Sequence, residues 1–478
     1  MKGKIEAGKQ IGRTGEKLWG SFVEQMGRAI YGGIYDPESG CADEQGFRKD
    51  VLESVRRLRL PIVRYPGGNF VSGYDWKDGI GKYRPRRLNL AWTQIEPNTI
   101  GLHEFHDWAE RAGTEMMMAI NLGTGTLRDA LELVEYTNFA GGTEWSELRR
   151  ANGRAEPFGF RYWCLGNEMD GPWQIGSMPA AEYAYKAREV SKLIKVIDPN
   201  IRTTLVGSSS PYMPTYPEWE KTVLDIAYEQ VDYISLHRYY SHVQEGGLRA
   251  YLDQDRDLAQ YIQTVSEIVR ETKARKKSLH DVRLSLDEWN VWHVEHDSSA
   301  SRWKESDVRV ENLYNFADSM LVAEMICVIA NHCDWVQMGC FAQLVNVIGL
   351  IMTENGGRMF EQTSYHPFCF ASNYLNGTIR EAKVEGENAD RMRATWCERE
   401  DGYAVLVVNG DEREGAQLTL EAPAGAKVTA DIMCAAPEDK NSFEEPRKVI
   451  PRPTEVVRRG EKITVEMPPF SMLMLLCK

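Results

Sequence analysis

The feature that most constrains this chain is a rhythm: a short apolar run, a polar or glycine-rich break, then a longer amphipathic segment. The apolar runs cover residues 18–23, 62–65, 115–120, 162–165, 203–206, 233–236, 284–286 and 335–338. Helices are predicted between them over 47–57, 102–111, 180–196, 258–270 and 310–330. From Val51 onward, apolar residues at 51, 52, 55, 58 and 60 keep close to the helical period. Strands that alternate with helices pair in parallel, because each crossover must carry the chain back to the same edge. Eight such units predict an α/β fold of the (β/α)8 barrel type, although an open doubly wound sheet shares the local pattern.

The pattern changes near residue 375. Short alternating strands follow at 404–408, 417–420, 427–432 and 462–467, and the apolar stretch 472–476 comes last. Turn residues separate them and no long amphipathic helix intervenes. This predicts an all-β, jelly-roll-like sandwich. The opening residues read as strand plus turns, around Gln10-Ile11-Gly12 and Thr14-Gly15, and are expected to join that sandwich. The expected organisation is therefore 1–16 with the sandwich, 17–373 as a catalytic barrel and 374–478 as the sandwich proper.

Composition bears on partners. A formal charge of −13 leaves no basic surplus to neutralise phosphates, which argues against nucleic acid and against an anionic membrane surface. No run approaches 18 apolar residues, so no membrane span is expected. Met1-Lys2-Gly3-Lys4 leads into mixed polar sequence rather than an apolar run, so a cytoplasmic protein without a secretory signal is expected. The nine cysteines are odd in number and contain no CxxC, which suits free thiols in a reducing compartment. No metal and no cofactor are expected. The nine histidines do not cluster as ligands, and the nearest pair, His103 and His106, falls in a predicted helix.

Barrel enzymes carry their chemistry at the carboxyl ends of the strands, where the loops open. Glu24 follows strand one, and Arg64-Tyr65-Pro66-Gly67-Gly68-Asn69-Phe70 follows strand two. Gly166-Asn167-Glu168-Met169-Asp170 follows strand four, and His237-Arg238-Tyr239 follows strand six. Asp287-Glu288-Trp289-Asn290 follows strand seven, and Gln343 follows strand eight. The decisive pair is Glu168 and Glu288. Strands four and seven lie across the barrel from each other, so these carboxyls face one another over its mouth. Two facing carboxyls are what glycoside hydrolysis requires: one protonates the leaving oxygen, and the other attacks or activates water. Strand alternation admits only one of Asp287 and Glu288 to the mouth. Glu288 is taken as that residue, and Asp287 is left to bond nearby backbone or an arginine. Trp92 and Trp292 offer apolar walls or belong to the core. Pro66-Gly67-Gly68 reads as a tight turn that aims Asn69.

Several of these stretches carry a resemblance. Trp163-Cys164-Leu165-Gly166-Asn167-Glu168-Met169-Asp170-Gly171-Pro172-Trp173-Gln174, the Arg64–Tyr74 stretch, Asp287-Glu288-Trp289-Asn290-Val291-Trp292 and Ala342-Gln343-Leu344-Val345-Asn346-Val347 resemble glycoside hydrolase family 51, the α-L-arabinofuranosidases. The segment 20–35 fits the same pattern, and the resemblance runs from about residue 18 to about 370. It implies a barrel with its acid/base at strand four, its nucleophile at strand seven and an accompanying sandwich. The implied reaction is retaining, exo-acting hydrolysis of terminal α-L-arabinofuranosides from arabinofuranosyl oligosaccharides. The implied assembly is a homo-oligomer, a hexamer. Carried over residue by residue, Glu168 is the acid/base and Glu288 the nucleophile. Glu24, Arg64, Asn69, Asn167, His237, Tyr239 and Gln343 match pocket residues.

Under that reading Asn167 bonds the sugar 2-hydroxyl and Tyr239 donates to Glu288. Glu24, Asn69 and Gln343 bind other hydroxyls. Arg64 is either a brace for the carboxylates or a sugar ligand, and His237 is either a site residue or a structural one. The chain departs from the family pattern at Gln25-Met26, Arg238, Gly349-Leu350 and the acidic loop 293–307. Linkage preference is where those departures are expected to matter. The alternatives are an endo-glucanase, xylanase or β-xylosidase on the same barrel, a non-catalytic carbohydrate-binding protein, and a metal-dependent hydrolase. The first shares the carboxyl pair, the second predicts the loss of one carboxylate, and the third needs clustered histidines.

Overall fold

The computed structural model describes residues 2–241, 246–293, 302–386 and 389–478. Eight parallel strands close into a barrel: Lys17–Phe22, Ile62–Tyr65, Glu115–Ala119, Tyr162–Cys164, Arg202–Leu205, Tyr233–Tyr240, Arg283–Val291 and Val336–Ala342. Closure comes from strand eight pairing with strand one, with Phe341 opposite Ser21. Each predicted apolar run lies on one of these strands. The differences are at the ends, since strands six and seven continue to Tyr240 and Val291 and so carry their polar residues as strand rather than loop. The helix expected from 310 begins at Phe316, because Asn315 caps it and accepts a hydrogen bond from the Asp318 N–H. Helices at Leu127–Asn138, Glu144–Ala151 and Glu218–Ala227 were not among those predicted; four charged residues in each interrupt the apolar pattern.

The Phe316–Ala330 helix has all 15 residues buried. It packs against barrel strand seven on one side and against strands of the second sheet on the other. A helix that is predominantly apolar around its circumference suits such a wedge, and its buried acids are Asp318 and Glu324.

That second sheet has ten strands. Lys2–Arg13 lies inside it, antiparallel to Thr378–Gly386 and parallel to Ala416–Glu421. It is one continuous strand rather than strand plus turns. Register shifts between Ala7 and Gln10, and between Gln10 and Gly12, take up the irregularity that reads as turns in the sequence. Ile5, Val405, Leu418, Val465 and Leu475 share one buried cluster although their strands are spread along the sheet. The sheet is therefore folded over on itself into two layers around a core of its own. The strands Thr378–Gly386 and Met392–Arg399 are additional to the predicted set.

Among the described residues no helix is long and apolar enough to cross a membrane. All nine cysteines are free. Within the acidic loop 293–307, residues 294–301 lie outside the described residues.

Candidate active site

The carboxyl ends of the barrel strands converge on a cavity of about 520 Å³. Its polar lining includes Glu24, Asn69, Glu168, Tyr239, Glu288 and Gln343, and its apolar walls include Trp92 and Trp292. Arg64, Asn167 and His237 are each at most 2% exposed and lie beneath the cavity floor. Of the sequence-derived set, eight residues thus line the cavity and three support it from below.

Glu288 is held from two sides. Arg64 Nη1 donates to its Oε1 at 2.5 Å, and the Tyr239 hydroxyl donates to its Oε2 at 2.8 Å. Burial and the Glu288 charge push the Tyr239 phenol far above its usual range, so it remains a donor. The Arg64 guanidinium lies over the Phe22 ring and its Nη2 donates to Asn167 Oδ1 at 2.7 Å. Arg64 is a brace in this geometry: its head group is spent on protein partners. Asn167 is similarly occupied, because its Nδ2 donates to Asn69 at 3.2 Å and to Gln174 at 3.3 Å.

Strict alternation fails at strand seven, contrary to the sequence expectation for Asp287 and Glu288. Ser285 pairs with Ser235 and Glu288 with His237, so three steps on strand seven match two on strand six. The same slip occurs against strand eight, between Leu286 and Trp289. This bulge breaks the strict two-residue period. Both acids therefore reach inward. Glu288 enters the cavity, while Asp287 lies below it, 3.8 Å from Arg64 Nε and 3.3 Å from His237 Nε2. Burial opposes the Asp287 charge, but Arg64 and His237 outweigh it and hold the carboxyl below its ordinary range.

Glu168 faces Glu288 across the mouth. Its backbone has φ +42°, in the left-handed region, just after Gly166 at φ +93°. Such a conformation costs about 1–3 kcal/mol in a residue with a side chain and recurs at functional sites. His237 Nδ1 lies 3.0 Å from Glu168 Oε1, and the Trp173 indole N–H donates to Oε2 at 2.7 Å. Burial disfavours a charged His237, but Glu288, Asp287 and Glu168 together outweigh it and hold the ring well above its ordinary pKa.

Ligating atoms of Glu168, His237 and Glu288 all lie within 4.8 Å of one another, a spacing that would also suit a metal ion. Arg64, Tyr239 and Trp173 already occupy the carboxylate oxygens, and a guanidinium beside Glu288 repels a second cation.

The far corner is built around Glu24. Its Oε1 accepts from the Phe70 N–H and from Trp92 Nε1, both at 2.8 Å. Gln343 Oε1 accepts from the Glu24 N–H at 3.0 Å. Burial lifts the Glu24 carboxyl to about 7, against those two hydrogen bonds. Near neutral pH it can therefore accept from a ligand hydroxyl or donate to one.

Gly68 lies between the two acidic corners. A Cβ there would stand 3.1 Å from Glu288 Oε1 and 3.3 Å from Glu24 Oε2. Gly68→Ala is expected to lower kcat/KM on the order of 100-fold by displacing the carboxylates. Thermal unfolding should show the fold intact, and kinetics matching the unmutated enzyme would dismiss the crowding argument.

Two residues acquire roles that sequence reasoning did not assign. Trp173, 52% exposed at the mouth, was quoted only as part of a motif, although it lies five positions beyond Glu168. Cys164 reads as an apolar strand residue, yet its thiol lies 3.3 Å from Arg64 Nε under the floor.

Several known proteins resemble this chain in sequence and fold. A model described as the alpha-L-arabinofuranosidase 1 domain matches residues 54–257, and one for the alpha-L-arabinofuranosidase C-terminal domain matches 287–471. An intracellular exo-alpha-(1->5)-L-arabinofuranosidase of Halalkalibacterium halodurans is 46% identical over 414 residues, covering 85% of this chain and 82% of that protein. An exo-alpha-(1->6)-L-arabinofuranosidase of Bifidobacterium longum is 40% identical over 491 residues, covering 97% and 94%. The solved structure of a family 51 alpha-L-arabinofuranosidase from Bifidobacterium longum superposes with a TM-score of 0.93 at 36% identity, covering 99% of each chain. The chain belongs to the α-L-arabinofuranosidases, the glycoside hydrolases of family 51.

Proposed function

We propose that the enzyme is exo-acting and releases terminal arabinofuranose from arabino-oligosaccharides by double displacement, with Glu288 as nucleophile and Glu168 as acid/base. The observation that carries this reading is the closeness of the two acids: an oxygen of each lies within 4.8 Å of one on the other, and His237 Nδ1 is 3.0 Å from Glu168 and 3.5 Å from Glu288. Retaining glycosidases hold their carboxyls about 5–5.5 Å apart, whereas inverting ones need about 6.5–9.5 Å to admit a water.

The roles follow from the hydrogen bonds. Glu288, paired with Arg64 and aimed by Tyr239, attacks the anomeric carbon. Glu168 protonates the departing glycosidic oxygen, then takes a proton from the water that releases the sugar. Glu24, Gln343 and Trp92 close the cavity behind the sugar, which favours a chain end over an internal unit. Asn69 stands at the cavity wall with its Oδ1 turned to Asn167. The relatives named above are called exo-(1->5) and exo-(1->6) enzymes, so a terminal linkage of one of these kinds is the natural substrate proposed. One of them is named intracellular, in keeping with action on imported oligosaccharides. Assembly into a hexamer, implied by the family resemblance, completes the proposal.

Two measurements test it. A panel of nitrophenyl glycosides should show turnover of the α-L-arabinofuranoside and none of the β-glucoside or β-xyloside; the opposite preference would transfer the enzyme to another activity. Proton NMR of the first-formed sugar should show the retained anomer, and an inverted product would refute the double displacement.

A further inference from the structure

Asp287 touches no wall of the cavity, and its side chain is 2% exposed. Its position is nevertheless unusual. Oδ1 is buried and stands 3.3 Å from His237 Nε2. Oδ2 accepts from the Cys164 thiol at 3.6 Å and lies 3.8 Å from Arg64 Nε. A buried carboxylate with so few donors is costly unless neighbouring cations offset it. The two groups beside it are the ones that hold the glutamates: Arg64 on Glu288, and His237 on Glu168.

We propose that Asp287 is a positioning residue serving both glutamates at once. Through Arg64 it fixes the guanidinium on Glu288, and through His237 it determines which ring nitrogen faces Glu168. The inference deepens the double-displacement reading and rests on it.

An ionised carboxylate can only accept, so the ring nitrogen turned toward Asp287 must carry a hydrogen. Nε2 is that nitrogen, which leaves Nδ1 to face Glu168 Oε1 at 3.0 Å. Between Nδ1 and Oε1 there is room for one shared proton, on the ring or on the carboxyl. Glu168 and His237 are therefore one proton-sharing unit across this contact. The other charged and titratable groups around the ring are Asp170, beyond strand four, Glu288 on strand seven, with Nδ1 3.5 Å from its Oε2, and Tyr239 on the ring's own strand. The bulge at strand seven makes the arrangement possible, because only there do two consecutive acids both reach inside.

The sign follows directly. The Asp287 charge favours keeping a proton on the pair, so removing that charge releases the proton at lower pH. Asp287→Asn preserves size and removes the charge. Its alkaline limb of kcat/KM is expected to move down by about one pH unit or more. At neutral pH the loss should be larger for an aryl arabinofuranoside with a poor leaving group than for one with a good leaving group. Toward acidic pH the loss should shrink. A purely packing role predicts instead a loss that is uniform across pH and across leaving groups, and that result would overturn the proposal.

A second measurement needs no variant of Asp287. Imidazole nitrogen-15 NMR of the unmutated enzyme, with His237 assigned by its absence in His237→Asn, should show Nε2 protonated at neutral pH. An unprotonated Nε2 would overturn the proposal even if Asp287→Asn failed to fold. The anomer first released, measured on the same preparation, separates this outcome from failure of the double displacement itself.

Discussion

Glu288→Ala is expected to lower kcat on the order of 10⁵-fold, the scale seen when a covalent nucleophile is removed. The cavity stays open, and Arg64 keeps Asn167 and Asp287 as partners, so the loss is one of chemistry rather than of fold. Azide supplies the check. It fits the space left by the carboxylate and approaches the anomeric carbon from the same face. Glu168 still protonates the leaving group, so turnover should return and yield the β-L-arabinofuranosyl azide, with inverted configuration. A variant that kept more than about a hundredth of the activity without azide would remove Glu288 from this role.

Glu168→Ala should behave differently, because its cost depends on the leaving group. A sugar alkoxide leaves poorly without a proton, and general acid catalysis contributes roughly 10²–10⁴-fold. Arabino-oligosaccharides should lose activity on that scale. A dinitrophenyl arabinofuranoside needs no proton, so its first step should be almost unaffected. The second step then lacks its base, and a glycosyl-enzyme should accumulate, visible as a burst of released phenol and as added mass on the protein. Azide should relieve the block and give the α-azide, with retained configuration. Equal losses on both substrates would mean that Glu168 is not the proton donor. The opposite configurations of the two rescued products make the pair of experiments stronger than either one alone.

The strand–helix rhythm was sufficient to locate all eight barrel strands, because parallel strands buried on both faces read as short apolar runs. It was less informative at their ends. Strands six and seven continue through His237-Arg238-Tyr239 and Asp287–Val291, where polar side chains interrupt the apolar signal. The facing glutamates were legible for a topological reason: strands four and seven stand three positions apart around the barrel, so their carboxyl ends both border its mouth. What the sequence could not show was depth. Arg64, Asn167 and His237 belong to the same motifs as Asn69, Glu168 and Tyr239, yet they lie one layer lower, and only packing decides this. The bulge at strand seven is hidden for a similar reason, since an extra residue in a strand leaves no mark on composition. Linear reading therefore treated Asp287 and Glu288 as alternatives, whereas the structure uses both.

The strand Lys2–Arg13 has a consequence for how the molecule comes into being. Its antiparallel partner lies more than 360 positions later in the chain, with Arg13 opposite Thr378. At ribosomal rates of about 5–20 residues per second, roughly 20–70 s separate the emergence of the two. Throughout that interval the strand is an unpaired ribbon, while the barrel between them has time to close. The barrel is thus threaded between the two halves of the sheet like a bead whose clasp is fastened last. Without this one strand, the ten-stranded sheet would divide into pieces of six and three strands with two raw edges, each an invitation to self-association. Anything attached just ahead of Lys2, a fusion partner or an affinity handle, acts on the clasp rather than on a loose end.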